Sequence, residues 1–244
     1  MITRQVILIL FIQIIVQNSF TQETTNDEKL RKLISIYGQA EVRVPYPGPE
    51  AIDFLSRNVS IRSVKDNCVD IVLSPLTAEW FISSGFSYNL IEPSRVKGIV
   101  SSSNMKKAME WDSYPTYSQY DSIMRFFAEE YPSLCRLDTI GTTLEGRLVM
   151  VLKISDNCNE DEDEPEVFLT STMHGDETGG FILMLRLADY LLSNYDSDFR
   201  IRELADNVEI WINPLANPDG TYTNGNEIYM PVRGNAAGYD HNRN

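Results

Sequence analysis

The chain has 244 residues, 43% of them hydrophobic, with 35 Asp and Glu against 21 Lys and Arg and a formal net charge of −14. That apolar content is ample for a packed core in one large domain or two modest ones, which excludes disorder as the default. The acidic balance, with no basic tract, excludes a nucleic-acid surface, whose affinity is carried by Lys and Arg meeting phosphate.

At the N-terminus, Arg4 precedes an apolar stretch from Val6 to Val16 that only Gln13 interrupts. The stretch is too short to span a bilayer. Ser19 and Thr21 stand before Gln22 at a spacing that tolerates signal-peptidase cleavage, so residues 1–21 read as a secretory signal and the chain as secreted or extracytoplasmic. A retained membrane anchor is the alternative. No other segment is long and apolar enough to span.

After a polar stretch, a helix is predicted around Lys29 to Tyr37, followed by a compact alternation. Ala40 to Val44 reads as a strand, Glu50 to Arg57 as a helix, Ser60 to Val64 and Cys68 to Leu73 as strands, Leu76 to Ser84 as a helix and Ser87 to Ile91 as a strand. This β-α-β-β-α-β order over residues 38–92 is that of a small α+β ferredoxin-like sandwich. Residues 93–113, with Pro93, Gly98, a Ser101-Ser102-Ser103 run and Lys106-Lys107, read as a linker with one helical turn.

The second unit, residues 114–244, opens with Thr116 as cap of a helix running to Glu130, its apolar face formed by Tyr120, Ile123, Met124, Phe127 and Ala128. Arg136 to Gly141 and Leu148 to Ile154 read as two strands joined by a turn at Glu145-Gly146-Arg147. An acidic run, Asn159 to Glu166, precedes a third strand, Val167 to Met173, whose lack of polar alternation predicts burial on both faces. A solvated loop is the expectation for the acidic run, with a calcium site as the alternative. A helix from Phe181 to Leu192 and a buried strand from Val208 to Ile212 follow. Strands alternating with helices around apolar strands predict an α/β fold with a mixed central sheet flanked by helices.

Cys68, Cys135 and Cys158 are an odd number with no Cys-x-x-Cys spacing, which excludes a metal cage. Buried inert thiols are one reading. In an exported chain, a Cys135–Cys158 disulfide flanking the predicted hairpin is the other.

Two segments carry chemistry. His174 and Glu177 stand three apart in Thr170-Ser171-Thr172-Met173-His174-Gly175-Asp176-Glu177, where a strand ends and the chain turns toward a helix. An imidazole nitrogen and a carboxylate on one tight turn suit zinc, although a histidine bonded to nearby backbone would look the same in sequence. Downstream, Asn242-Arg243 offers an amide and a planar guanidinium matched to a free carboxylate, and Arg233 is placed to stabilise an oxyanion; each alone would more often be a surface or turn residue.

In order, Glu145-Gly146-Arg147, Ile154-Ser155-Asp156-Asn157, His174-Gly175-Asp176-Glu177, Asn217-Pro218-Asp219-Gly220, Arg233 and Gly238-x-Asp240-x-Asn242-Arg243-Asn244 resemble the zinc metallocarboxypeptidases. The Gly-Asp between the two candidate ligands is closer to the carboxypeptidase N and E branch than to the digestive branch. The resemblance covers residues 114–244, the N-terminal part of a catalytic domain.

It implies that His174 and Glu177 bind Zn2+, that Asp240 orients His174, that Asn242 and Arg243 hold the substrate's terminal carboxylate, and that Arg233 polarises the scissile carbonyl. The implied substrates are peptide or protein C-termini, and the N-terminal sandwich matches in element order the activation segment of some members. The family's third ligand, a His, with a capping Tyr and a Glu that activates water, cannot be assigned up to Asn244. His241 neighbours Asp240 and should face the other way. The chain is therefore expected to be a fragment, inactive by itself. A noncatalytic module binding peptide C-termini and a related zinc amidase or deacylase are the alternatives; Arg233, Asn242 and Arg243 together favour the peptidase.

Overall fold

The computed structural model describes residues 26–93 and 99–243. The secretory-signal reading of residues 1–21, part of the linker (residues 94–98) and the final Asn244 of the motif lie outside the described residues. The chain forms two compact units, up to residue 94 and from residue 95 onward.

In the first unit, α1 (26–37) is followed by β1 (Ala40–Pro45), α2 (Pro49–Ser56), β2 (Ser60–Lys65), β3 (Cys68–Leu73), α3 (Ala78–Ser83) and β4 (Asn89–Ile91). The sheet order is β2-β3-β1-β4, antiparallel throughout. Asp66 and Asn67, with φ of 52° and 57°, make the two-residue turn between β2 and β3. Both central positions of such a turn need positive φ, which Asp and Asn tolerate better than other side chains. Period-two alternation puts Val42 and Val44 of β1 with Val69, Ile71 and Leu73 of β3 in one core, closed by Leu30, Ile34, Leu55 and Phe81 from the helices.

The second unit holds α4 (Met105–Ala108), α5 (Tyr117–Glu130), β5 (Cys135–Thr142), β6 (Leu148–Ile154), β7 (Glu166–Thr170), α6 (Gly179–Asn194), α7 (Phe199–Ala205), β8 (Glu209–Asn213) and α8 (Pro218–Thr221). Thr116 caps α5 in a full capping box: its hydroxyl accepts from Gln119 N at 3.2 Å, and Gln119 Oε1 accepts from Thr116 N at 2.9 Å. The sheet order is β5-β6-β8-β7, with β7 and β8 parallel and the other pairs antiparallel. This is a mixed sheet with helices packed on it.

The two faces of the central strands differ. Met150, Leu152 and Ile154 of β6 with Ile210 and Ile212 of β8 join Tyr120, Phe127, Phe181 and Leu185 of α5 and α6 in the main core. On the alternate positions, Lys153 Nζ meets Glu209 Oε1 at 2.6 Å, both side chains almost fully buried. Lys153 also donates to the Glu160 carbonyl, and Glu162 N donates to Glu209 Oε1 at 3.1 Å. The acidic run is thus tied to the sheet at its middle.

Two expectations are corrected. β7 is not buried on both faces: among the described residues it pairs with β8 alone, and Val167 and Phe168 are exposed. An apolar run reports that a strand can be covered, not that the described chain covers it. Cys135 and Cys158 are buried and Cys68 half-buried, and all three are free thiols, so no disulfide is present among the described residues. Burial pushes the Cys135 thiol up to about 12, as an inert core thiol requires. α7 was not anticipated in the sequence; its signal is Asp198, whose carboxylate caps it by accepting from Arg200 N at 2.9 Å.

Candidate metal and carboxylate site

Parallel pairing of β7 with β8 brings the C-terminal ends of both strands to one edge, with Thr170 opposite Asn213. Open α/β sheets place ligands at such an edge. The loops stay paired beyond the strands: Ser171 N donates to Asn213 O at 3.0 Å, Ala216 N to Ser171 O at 3.0 Å and Asn217 N to Thr172 O at 3.1 Å. Thr172, with φ 55°, then turns the chain so that residues 174–177 close on themselves, Glu177 N donating to His174 O at 3.1 Å.

Glycines permit the close approach of three backbone segments. A Cβ on Gly175 would stand 2.2 Å from the carbonyl carbon of Gly220, and one on Gly220 would stand 2.5 Å from the carbonyl oxygen of Gly234. Only glycine lets the His174 loop, α8 and the Arg233 segment pack in this way. Asn217 stitches them together: its Oδ1 accepts from Gly220 N at 3.0 Å, and its Nδ2 donates to the carbonyls of Arg233 and Gly234 at 3.3 and 3.1 Å.

Four of the expected side chains meet there. His174 Nδ1 lies 3.1 Å from Glu177 Oε1, and its Nε2 lies 3.0 Å from Asp240 Oδ1. Arg233 spans both carboxylates, Nε donating to Asp240 Oδ2 at 2.9 Å and Nη1 to Glu177 Oε1 at 3.2 Å. His174 and Arg233 are buried and the Asp240 side chain is 9% exposed, whereas the Glu177 side chain is 59% exposed. The cluster therefore opens to solvent on the Glu177 side.

Asn242 and Arg243 follow Asp240 in a turn and are exposed. Asn242 N donates to Asp240 Oδ1 at 2.8 Å, and Arg243 Nη1 donates to the carbonyl of Asn242 at 2.7 Å. Their side chains are not joined to the four-residue cluster by any of these bonds. His241 is exposed.

The donor set fits zinc. Ligands at about 2.0–2.1 Å from a tetrahedral ion stand about 3.3 Å apart, and the Nδ1–Oε1 separation is 3.1 Å. The other ring nitrogen rests on a carboxylate, as ligand histidines usually require. Among the described residues, no third His, Cys, Asp or Glu brings a donor within 4.8 Å of both. Gly175, Gly220 and Asn217 stand inside the motifs quoted from the sequence, which gave them no structural role.

Residues 120–244 match the family model described as zinc carboxypeptidase. Human carboxypeptidase D is 37% identical over 131 residues, covering 52% of this chain and 10% of its own length. A zinc carboxypeptidase of Saccharothrix mutabilis subsp. capreolus is 38% identical over 122 residues, covering 47% of this chain and 28% of its own. Mouse carboxypeptidase M is 37% identical over 134 residues, covering 51% and 29%. The chain thus spans between about a tenth and under a third of these relatives. In fold it is similar to carboxypeptidase A from Helicoverpa armigera, with a TM-score of 0.52 at 21% identity, covering 82% of this chain and 53% of that one. With the family model matched over more than half its length, the chain belongs to the zinc carboxypeptidase family.

Proposed function

We propose that this protein is a secreted metallocarboxypeptidase that hydrolyses the last peptide bond of peptides or proteins, with zinc held by His174 and Glu177. The observation that carries the reading is the division of the His174 ring: Nδ1 toward Glu177 at 3.1 Å and Nε2 against Asp240 at 3.0 Å. With the Nε2 proton donated to Asp240, the lone pair of Nδ1 points to the Glu177 side, where a metal would be shared. Bound there, zinc would supply Lewis acidity toward a carbonyl and acidify water.

The remaining roles belong to side chains of this chain. Arg233, fixed by Asp240, has its Nη1 edge beside Glu177; there it would donate to the scissile carbonyl oxygen as negative charge develops on it. The exposed guanidinium of Arg243 and the amide of Asn242 would take the substrate's terminal carboxylate, a bidentate match for which Arg is suited. The first unit, in the ferredoxin-like reading, would serve as an activation segment. Among the described residues no helix is long and apolar enough to cross a membrane.

Catalytic zinc sites hold three protein ligands. Two candidate ligands, His174 and Glu177, lie side by side among the described residues. The test is release of C-terminal amino acids from a peptide library by the purified protein, with and without a chelator. Zinc-dependent release supports the proposal; binding of free C-termini with no release identifies a binding module instead. An outcome with neither release nor binding of free C-termini would overturn the proposal.

A further inference from the structure

Two motifs, Glu145-Gly146-Arg147 and Asn217-Pro218-Asp219-Gly220, lie far apart in sequence, and no role in the reaction is proposed above for Arg147 or Asp219. They meet in a nearly buried ion pair. Arg147 Nη1 donates to Asp219 Oδ1 at 2.8 Å, with the two side chains 14% and 2% exposed. The same carboxylate accepts from Thr143 Oγ1 at 2.8 Å and from Glu145 N at 3.2 Å. Arg147 Nη2 donates to the carbonyls of Tyr222 and Gly225 at 2.8 and 3.2 Å, and the guanidinium lies over the Tyr117 ring at 5.7 Å. The β5–β6 turn thereby grips α8 through three hydrogen bonds to the Asp219 carboxylate and two to carbonyls that follow the helix.

Gly220 and Thr221 of α8 meet the metal loop. The hydroxyl of Thr221, fully buried, donates to the Gly175 carbonyl at 3.0 Å. Gly175 is the residue between His174 and the rest of the turn that ends at Glu177, and its Cα packs directly on Gly220. The Gly220 carbonyl accepts from Val232 N at 2.8 Å, one residue before Arg233. A shift of α8 therefore moves both the His174–Glu177 turn and the Arg233 segment.

We infer that Arg147 and Asp219 are positioning residues for the metal site, acting through α8 and the Thr221 hydroxyl on Gly175 to hold His174 and Glu177 at chelating separation. The inference rests on the zinc reading of those two residues. An ion pair is suited to this work because it is directional and, once buried, cannot slide without leaving a charge unpaired. A hydrophobic contact of the same area would permit small displacements at little cost. Metal binding is sensitive to displacements of that size because ligand distances tolerate only about 0.2 Å.

The test uses the full-length protein and measures zinc affinity by competition with a chromophoric chelator, together with the visible spectrum of the cobalt-substituted protein. Thr221→Val keeps the shape of the side chain and removes the bond to Gly175; it is expected to weaken zinc about 10- to 100-fold and alter the cobalt spectrum. Thr221→Ser should restore both to near wild type. Asp219→Asn should weaken zinc in the same range, and the double variant Asp219→Asn with Thr221→Val should lose less than the product of the two single losses, since both act through α8. Wild-type affinity and spectrum in Thr221→Val, failure of Thr221→Ser to rescue, or independent losses in the double variant would each overturn the inference. Absence of zinc binding by the wild-type protein would instead overturn the reading on which it rests.

Discussion

Gly175 and Gly220 touch backbone to backbone: a methyl group on Gly175 would fall 2.2 Å from the Gly220 carbonyl carbon and 2.5 Å from its Cα. Neither atom belongs to a flexible side chain that could move aside. Gly175→Ala is therefore expected to push the His174 turn away from α8, weakening zinc at least tenfold and destabilising the second unit by about 1–3 kcal/mol, the usual cost of overpacking. Thermal unfolding and chelator competition measure both. Gly141→Ala, where no atom lies within 4 Å of the added carbon, is the control and should change neither.

Asp240 accepts from two buried partners, the His174 ring and the Arg233 guanidinium. Asp240→Asn keeps the size but removes the charge that holds the Nε2 proton. Zinc affinity should fall about 10- to 100-fold. Equal affinity in wild type and variant, measured at one pH, would show that Asp240 does not orient the ring.

Arg233 and Arg243 are expected to separate kinetically. Arg233→Ala should lower kcat by about 10²- to 10³-fold, the loss seen when an oxyanion donor is removed, while zinc content stays at wild-type level. Arg243→Ala should act on recognition: the wild-type preference for a free over an amidated C-terminus should shrink toward none. Assays of paired peptides differing only in that amide distinguish the two. A change in kcat alone for Arg243→Ala would remove it from the carboxylate site.

The Glu209 carboxyl is held below the usual range chiefly because Lys153 donates to it, against the opposing effect of burial. Its contribution to stability is present above the unfolded glutamate pKa of about 4.3 and is lost as pH falls through the lower folded value. Glu209→Gln strands the Lys153 ammonium and should cost about 3–5 kcal/mol at neutral pH. The variant should also lose part of the decline in stability that wild type shows as pH falls below the unfolded glutamate pKa. Urea unfolding of the second unit across that range reads both effects.

Local signals were legible where the physics is local. Thr116 announced its helix because a capping residue and its Gln119 partner lie within one turn. The strands of the first unit and the β5–β6 hairpin followed from runs and turn residues that act over a few positions. The same held for His174 and Glu177, which lie on one turn. What escaped the sequence depends on distant neighbours. Exposure of Val167 and Phe168 is decided by which strands pair with β7, and that information is absent from the strand itself. The need for glycine at positions 175 and 220 arises from three segments meeting, and the salt link from Arg147 to Asp219 spans 72 residues. The motifs marked those positions without giving the reason for them.

The central claim is that His174 and Glu177 bind zinc together. The most direct measurement is zinc stoichiometry and affinity in the full-length protein, compared with His174→Ala and Glu177→Gln. One zinc per chain, with affinity reduced by at least two orders of magnitude in either variant while the circular dichroism stays unchanged, is the predicted result. Zinc retained at wild-type affinity in both variants would contradict the account and place any metal elsewhere.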